Sequence, residues 1–184
     1  MIDEAGHACC QVAPLCLPQV LEFLQRQQGL ANGSPDVDAI WRLILDSNIT
    51  FQNPGSVILS AGQWCPFNSQ NTTWWPETYP LLYLPAYCSF RMTDIWRSFI
   101  AQRCLWALGH GLVFHAPEVW QARNVHNLMR DFEQEVPGYL GKARIAQLLA
   151  EMDIAPGAAA LLGNMRRCYE LLVQHGFIGA AELP

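Results

Sequence analysis

Apolar positions fall at helical spacing over residues 17–28 and stop at Gly29, with Asn32-Gly33 as a further turn signal. The pattern predicts a helix and then a loop. Ser34-Pro35 restarts the chain: serine as N-cap and proline in the first turn open a second helix, whose Val37, Ile40, Trp41 and Ile44 line one face to about residue 45. Residues 49–52 and 56–60 are short β-favouring runs on either side of Asn53-Pro54-Gly55, which predicts two strands joined by a turn. Between 62 and 80, Trp, Pro, Asn and Thr follow one another without a period, so an ordered loop that packs its aromatic rings is expected. Strands are predicted at 81–84 and 87–90. Thr93 then caps a helix to about residue 108, ended by Gly109 and Gly111, and 112–114 returns as a strand. That helix is apolar nearly all round (Ile95, Trp96, Phe99, Ile100, Cys104, Leu105), so it belongs between the layers of a sheet-containing core. Past Pro117 the strand signals stop, and helical spacing resumes over 125–132, 143–152 and 157–174. Strand, helix and strand followed by a helical tail make the expected fold class α/β.

Composition narrows the partners. The 184 residues are 51% apolar, enough for one compact domain with a core. The net charge is -5 and no basic run exceeds Arg166-Arg167, so neither nucleic acid nor an anionic membrane surface is an expected partner; a small or neutral one is. The longest apolar stretches, 81–90 and 104–114, are interrupted well short of the roughly 20 residues of a bilayer span, so no membrane span is expected. The opening MIDEAGHACC carries acids where a signal peptide carries bases, and no targeting segment is read there. Seven cysteines without a C-x-x-C pair read as buried thiols. A cysteine or zinc enzyme built on Cys65 or Cys88 with a histidine is the competing, lesser reading. Asn48-Ile49-Thr50 and Asn71-Thr72-Thr73 match the N-glycosylation pattern, which matters only in a secretory lumen.

Four groups of residues carry candidate chemistry. Asp36-Val37-Asp38 is a D-x-D, a pattern that can hold a divalent cation against a diphosphate. Yet after Ser34-Pro35 these acids fall in a first helical turn, where residues two apart diverge by about 200°, and the helix-start reading is preferred. Arg91, Asp94 and Arg97 recur every third residue at the entry to an apolar helix, so they must pair with one another or face a polar cavity. A carboxylate at a strand-to-helix turn is a sound general base, although Asp also serves there as a helix-dipole partner. His115 follows the 112–114 strand, from whose end a ring nitrogen could reach a metal or phosphate shared with the Asp94 turn; the alternative is a hydrogen-bonded structural histidine. Asn68, Gln70 and Asn71 offer amides to sugar hydroxyls beside Trp64, Trp74 and Trp75, whose rings could stack on sugar faces; the alternative is a turn with Asn and Ser caps.

The segments SPDVDAIWRL, CPFNSQNT, YLPAYCSFRMTDIWRSFIAQRCLW and QARNVHNLMRDFEQE, spread over residues 33–139, resemble the STELLO family of probable glycosyltransferases. The resemblance implies the acceptor-side half of a GT-A-like domain, distantly like the reversibly glycosylated polypeptides. It divides the chain into a partial GT-A-like domain at 1–140 and a helical C-terminal extension at 141–184. It also implies a nucleoside-diphosphate sugar as donor, a glycan or other hydroxyl acceptor, and a divalent cation, manganese or magnesium. The nucleotide-binding half would precede the residues present here, and related members are membrane-anchored Golgi proteins. Asp94 would then be the catalytic base, Arg91 and Arg97 would offset leaving-group charge or orient Asp94, and Asn68, Gln70, Asn71 and Trp64 would contact acceptor or sugar. The competing implication is a non-catalytic accessory chain that keeps the acceptor half and binds a protein partner.

Overall fold

The computed structural model describes residues 26–52 and 55–183. It is a mixed α/β fold with one four-stranded sheet in the order β2-β4-β1-β3. β1 is Arg26–Gly33, β2 Val57–Leu59, β3 Thr72–Trp74 and β4 Leu112–Gln121. The central β1–β4 pair is parallel, aligning Gln28 with Phe114 and Gly29 with His115, while β3 on β1 and β2 on β4 are antiparallel. Among the described residues four α-helices accompany it: α1 Ala39–Ile44, α2 Thr93–Ala107, α3 Leu128–Glu151 and α4 Leu161–Gln174.

α2 is the expected sandwiched helix, and it matches the predicted span within a residue. It buries Trp96, Phe99, Ile100, Ala101, Cys104 and Leu105. These join Leu59 and Leu112 of the sheet on one side and Ile145, Leu149, Cys168, Tyr169 and Leu172 of α3 and α4 on the other, in a single core.

Other elements depart from expectation for identifiable reasons. The helix predicted at 17–28 lies mostly outside the described residues, and its last three residues open β1 instead. RQQGLANG contains no β-branched residue, so its strand conformation comes from pairing on both edges, not from propensity. Gly29 is required there: a Cβ would meet Asn71 Nδ2 at 2.1 Å. β3 falls within the predicted loop and pairs with β1. The run at 49–52 makes only the single bridge Ile49–Gly33, and the predicted strand at 81–84 falls in and beyond a 3₁₀ helix, Pro76–Leu82. The run at 87–90 leads into another 3₁₀ turn, Phe90–Met92. β4 continues through Pro117 because four steps on β4, His115 to Val119, oppose two on β1, Gly29 to Ala31; the bulge accommodates a residue with no N–H. α3 runs unbroken through Pro137, with Asp131, Glu135, Gly138, Gly141, Ile145, Leu148 and Leu149 forming one buried stripe. Packing along that stripe outweighs the local stop signal of Pro137-Gly138.

Candidate functional site

A cavity of about 560 Å³ opens where the sheet, the entry to α1, the loop before β3, the start of α2 and the middle of α3 converge. Gln28 and Leu30 of β1 lie two apart and so share a face, and Phe114, paired with Gln28, joins them as the floor. The walls are residues 36–38, the loop residues Phe67 and Asn68, residues 90–95, and Glu135, Tyr139 and Lys142 of α3.

A carboxylate of this cavity with both oxygens fully engaged lies outside the residues expected from the sequence. Glu135 is 5% exposed and has four hydrogen-bonding contacts. Its Oε1 accepts from Arg91 Nε at 3.0 Å and Nη2 at 2.7 Å, and its Oε2 accepts from the Ala39 amide at 2.7 Å and the Tyr139 hydroxyl at 2.8 Å. Arg91 Nη2 also reaches Asp36 Oδ1 at 3.4 Å. Burial opposes the Arg91 charge, but the Glu135 bond and the surrounding carboxylates outweigh it and leave the guanidinium pKa raised. Burial, then the bond to Glu135, raises the Tyr139 hydroxyl. Partial burial in the cavity wall also raises Asp36, whose side chain stays 41% exposed, reinforced by Asp94 and Glu135 and opposed by Arg91 and Arg123.

Asp94 lines the cavity from the first turn of α2. Its Oδ2 accepts from the Ser69 amide at 2.8 Å, and Ser69 Oγ accepts from Arg97 Nη2 at 2.8 Å. Arg97 itself is 2% exposed and points away from the cavity, its guanidinium 5.4 Å from the Phe67 ring and 5.2 Å from Trp74. Burial lowers its pKa, with Asp94 opposing. Arg91, Asp94 and Arg97 are thus divided between two roles: the first two face the cavity, and the third fixes the loop that holds Asp94.

The remaining sequence candidates separate in the same way. Asn68 lines the cavity, with Nδ2 donating to Asp36 O at 3.3 Å and Oδ1 accepting from the Gln70 amide at 3.0 Å. Gln70 and Asn71 lie behind it: Gln70 Oε1 accepts from the Asp36 amide, and Asn71 Nδ2 donates to Leu30 O. Trp64 packs on Phe99 and Trp106, away from the cavity. His115 alternates with Phe114 and therefore faces the opposite side of the sheet, where its ring nitrogens meet Ser56 Oγ at 2.8 Å and Gln27 Oε1 at 2.6 Å. It does not meet the Asp94 turn. Asp38 caps α1 through the Trp41 amide at 2.9 Å, so the helix starts later than Ser34-Pro35 suggests; both aspartates line the cavity, Asp38 committed to the cap and Asp36 turned to Arg91.

The donor set does not fit a protein-built cation cage. Among the described residues no group of three or more His, Cys, Asp or Glu is arranged to hold a metal ion, and both Glu135 oxygens are committed to other partners. The cysteine reading is also weakened, because burial, with the Glu182 carboxylate, pushes the Cys88 thiol up to about 11. Among the described residues no helix is long and apolar enough to cross a membrane.

The family model of the STELLO glycosyltransferases matches residues 91–182, half of the chain. The chain belongs to the STELLO family. Within it, the probable glycosyltransferase STELLO2 of Arabidopsis thaliana is 27% identical over 162 residues, 85% of this chain and 20% of that protein. The probable glycosyltransferase STELLO1 of the same plant is 34% identical over 97 residues, 50% of this chain and 13% of that protein. The chain therefore spans a fifth or less of the STELLO relatives it matches. The STELLO segment begins at Arg91 and contains Asp94, Arg97, Glu135 and Tyr139, so most of the cavity's charged wall lies inside it.

Proposed function

We propose that the cavity is the acceptor site of a nucleotide-sugar-dependent glycosyltransferase and that the chain forms the acceptor side of a GT-A-like domain. The observation that carries this reading is the pairing of a fixed carboxylate with a fixed guanidinium over apolar walls. Asp94 is held through Oδ2 alone, and Arg91 through Nε and Nη2. Among the described residues neither Asp94 Oδ1 nor Arg91 Nη1 has a protein partner. One acceptor and one donor in the same cavity, flanked by Phe67, Phe90 and Phe114, suit a polyhydroxy ligand such as a sugar: one hydroxyl donates to Asp94 while another accepts from Arg91.

In this mechanism the hydroxyl held by Asp94 attacks the anomeric carbon of the donor sugar. The new C–O bond forms as the bond to the nucleoside diphosphate breaks, and the hydroxyl proton passes to Asp94. Arg97 acts indirectly, by fixing Ser69 and so Asp94; Asn68 keeps the Asp36 segment at the rim.

The test is Asp94→Asn in a full-length STELLO protein, for which turnover should fall about 10²- to 10⁴-fold with the fold intact. Unchanged turnover would remove Asp94 as the base. The exposed Ile40, Leu43 and Ile44 of α1 favour a second reading, in which the chain is an accessory module that binds a protein. Titration with neutral methyl glycosides separates the two, since only the first predicts resonance shifts around Asp94 and Arg91.

A further inference from the structure

We propose that Glu135 is the positioning residue of this cavity, presetting Arg91 so that its Nη1 is presented to the ligand. For the ligand this rests on the acceptor-site reading above; for the arginine it rests on geometry alone. A free arginine side chain samples many rotamers, and holding one of them costs side-chain entropy. Here Nε and Nη2 converge on the single oxygen Oε1, which fixes the plane of the guanidinium as well as its position. The carboxylate cannot turn away, because Oε2 is saturated by the Ala39 amide and the Tyr139 hydroxyl. Asp36 Oδ1 touches only Nη2, at 3.4 Å, so Nη1 is left over.

Three parts of the cavity are thereby tied to one carboxylate: the first residue of α1, the arginine before α2 and the tyrosine one turn along α3. A buried ion pair is a weak stabiliser compared with apolar packing of the same volume. Its distinctive product here is orientation. Movement of the α1 entry or of α3 would be felt at Arg91 through Glu135, and this makes Glu135 a coupling point and not merely a neutralising charge.

The experiment is ¹⁵N NMR of the arginine Nε–H groups, followed by glycoside titration, in the wild type and in Glu135→Asp, Glu135→Gln and Tyr139→Phe. Arg166, whose Nε donates to Glu170 on the exposed face of α4, is the internal reference. In the wild type the Arg91 Nε–H should exchange at least about tenfold more slowly than that of Arg166. Glu135→Asp keeps the charge but withdraws it by one methylene, so it protects the test should Glu135→Gln not fold. It should bring Arg91 exchange to the Arg166 level and raise the glycoside Kd about tenfold. Tyr139→Phe removes one of the two partners that hold Oε2 and should speed Arg91 exchange, by less than Glu135→Asp does. Arg91→Gln combined with Glu135→Asp should weaken binding no more than Arg91→Gln alone, because both act on one contact. Additive losses, or Arg91 exchange unchanged by Glu135→Asp, overturn the proposal. A wild type that binds no glycoside, yet shows the exchange change, rejects the acceptor-site reading and upholds the positioning of Arg91.

Discussion

At the scale of single residues, the site divides into side chains that meet the cavity and side chains that hold them. Arg97 belongs to the second kind. Arg97→Lys keeps a charge but loses the planar group lying against Phe67 and Trp74, and should cost about 2 kcal/mol in urea denaturation. Asp36 gives a pH signature. Its native pKa is raised above 3.8 by partial burial, reinforced by Asp94 and Glu135, while Arg91 and Arg123 pull it back and the 41% exposure of the side chain keeps the effect small. The folded state thus binds that proton more tightly than the unfolded state does. The stabilisation is full below 3.8 and is lost as pH rises through the native value. Asp36→Asn should therefore gain stability over the wild type as pH is raised from 3.5 to 7; a difference that is flat with pH contradicts this. Arg91 and Asp94 were legible in the sequence because charges at the mouth of an apolar helix need somewhere polar to go. Glu135 and Tyr139 were not, since they lie more than forty residues away and only the packing of α3 brings them to Arg91.

At the scale of elements, α2 could be read almost to the residue because its apolar positions and terminal glycines agree. β1 could not, because a strand composed of Arg, Gln, Gly, Leu, Ala and Asn is stabilised by its neighbours and carries little signature of its own. α3 was read as separate pieces, and here Gly138 and Gly141 are informative. A Cβ on Gly141 would come within 2.8 Å of the Phe177 ring, and one on Gly138 within 2.5 Å of Met92 Sδ. Gly163 of α4 faces open space. Gly163→Ala should stabilise the protein by about 1 kcal/mol through helix propensity, whereas Gly141→Ala should lower the thermal midpoint despite the same propensity gain. Equal shifts of the same sign would mean that α3 does not approach Phe177 closely.

At the scale of the whole molecule, the cavity exists because segments distant in sequence are brought together by a mixed sheet, and its charge has a functional consequence. Asp36, Asp38, Asp94 and Glu135 outnumber Arg91 and Lys142, in a chain whose net charge is -5. A dianionic nucleotide should bind this cavity more weakly than a neutral glycoside, which calorimetry with UDP-sugars and methyl glycosides, with and without manganese, would reveal. Tighter binding of the UDP-sugar in the absence of metal would overturn the acceptor assignment. The parallel pairing at the centre of the sheet has a further consequence, for the order of folding. Gly29 must find His115, so β1 leaves the ribosome long before its parallel partner exists. At about 5–20 residues per second the delay is on the order of 4–17 s. In that interval β3 is, among the described residues, the one sheet strand β1 can pair with, and a two-stranded ribbon is marginal in water. The cavity floor, made of Gln28, Leu30 and Phe114, is therefore among the last features to be completed.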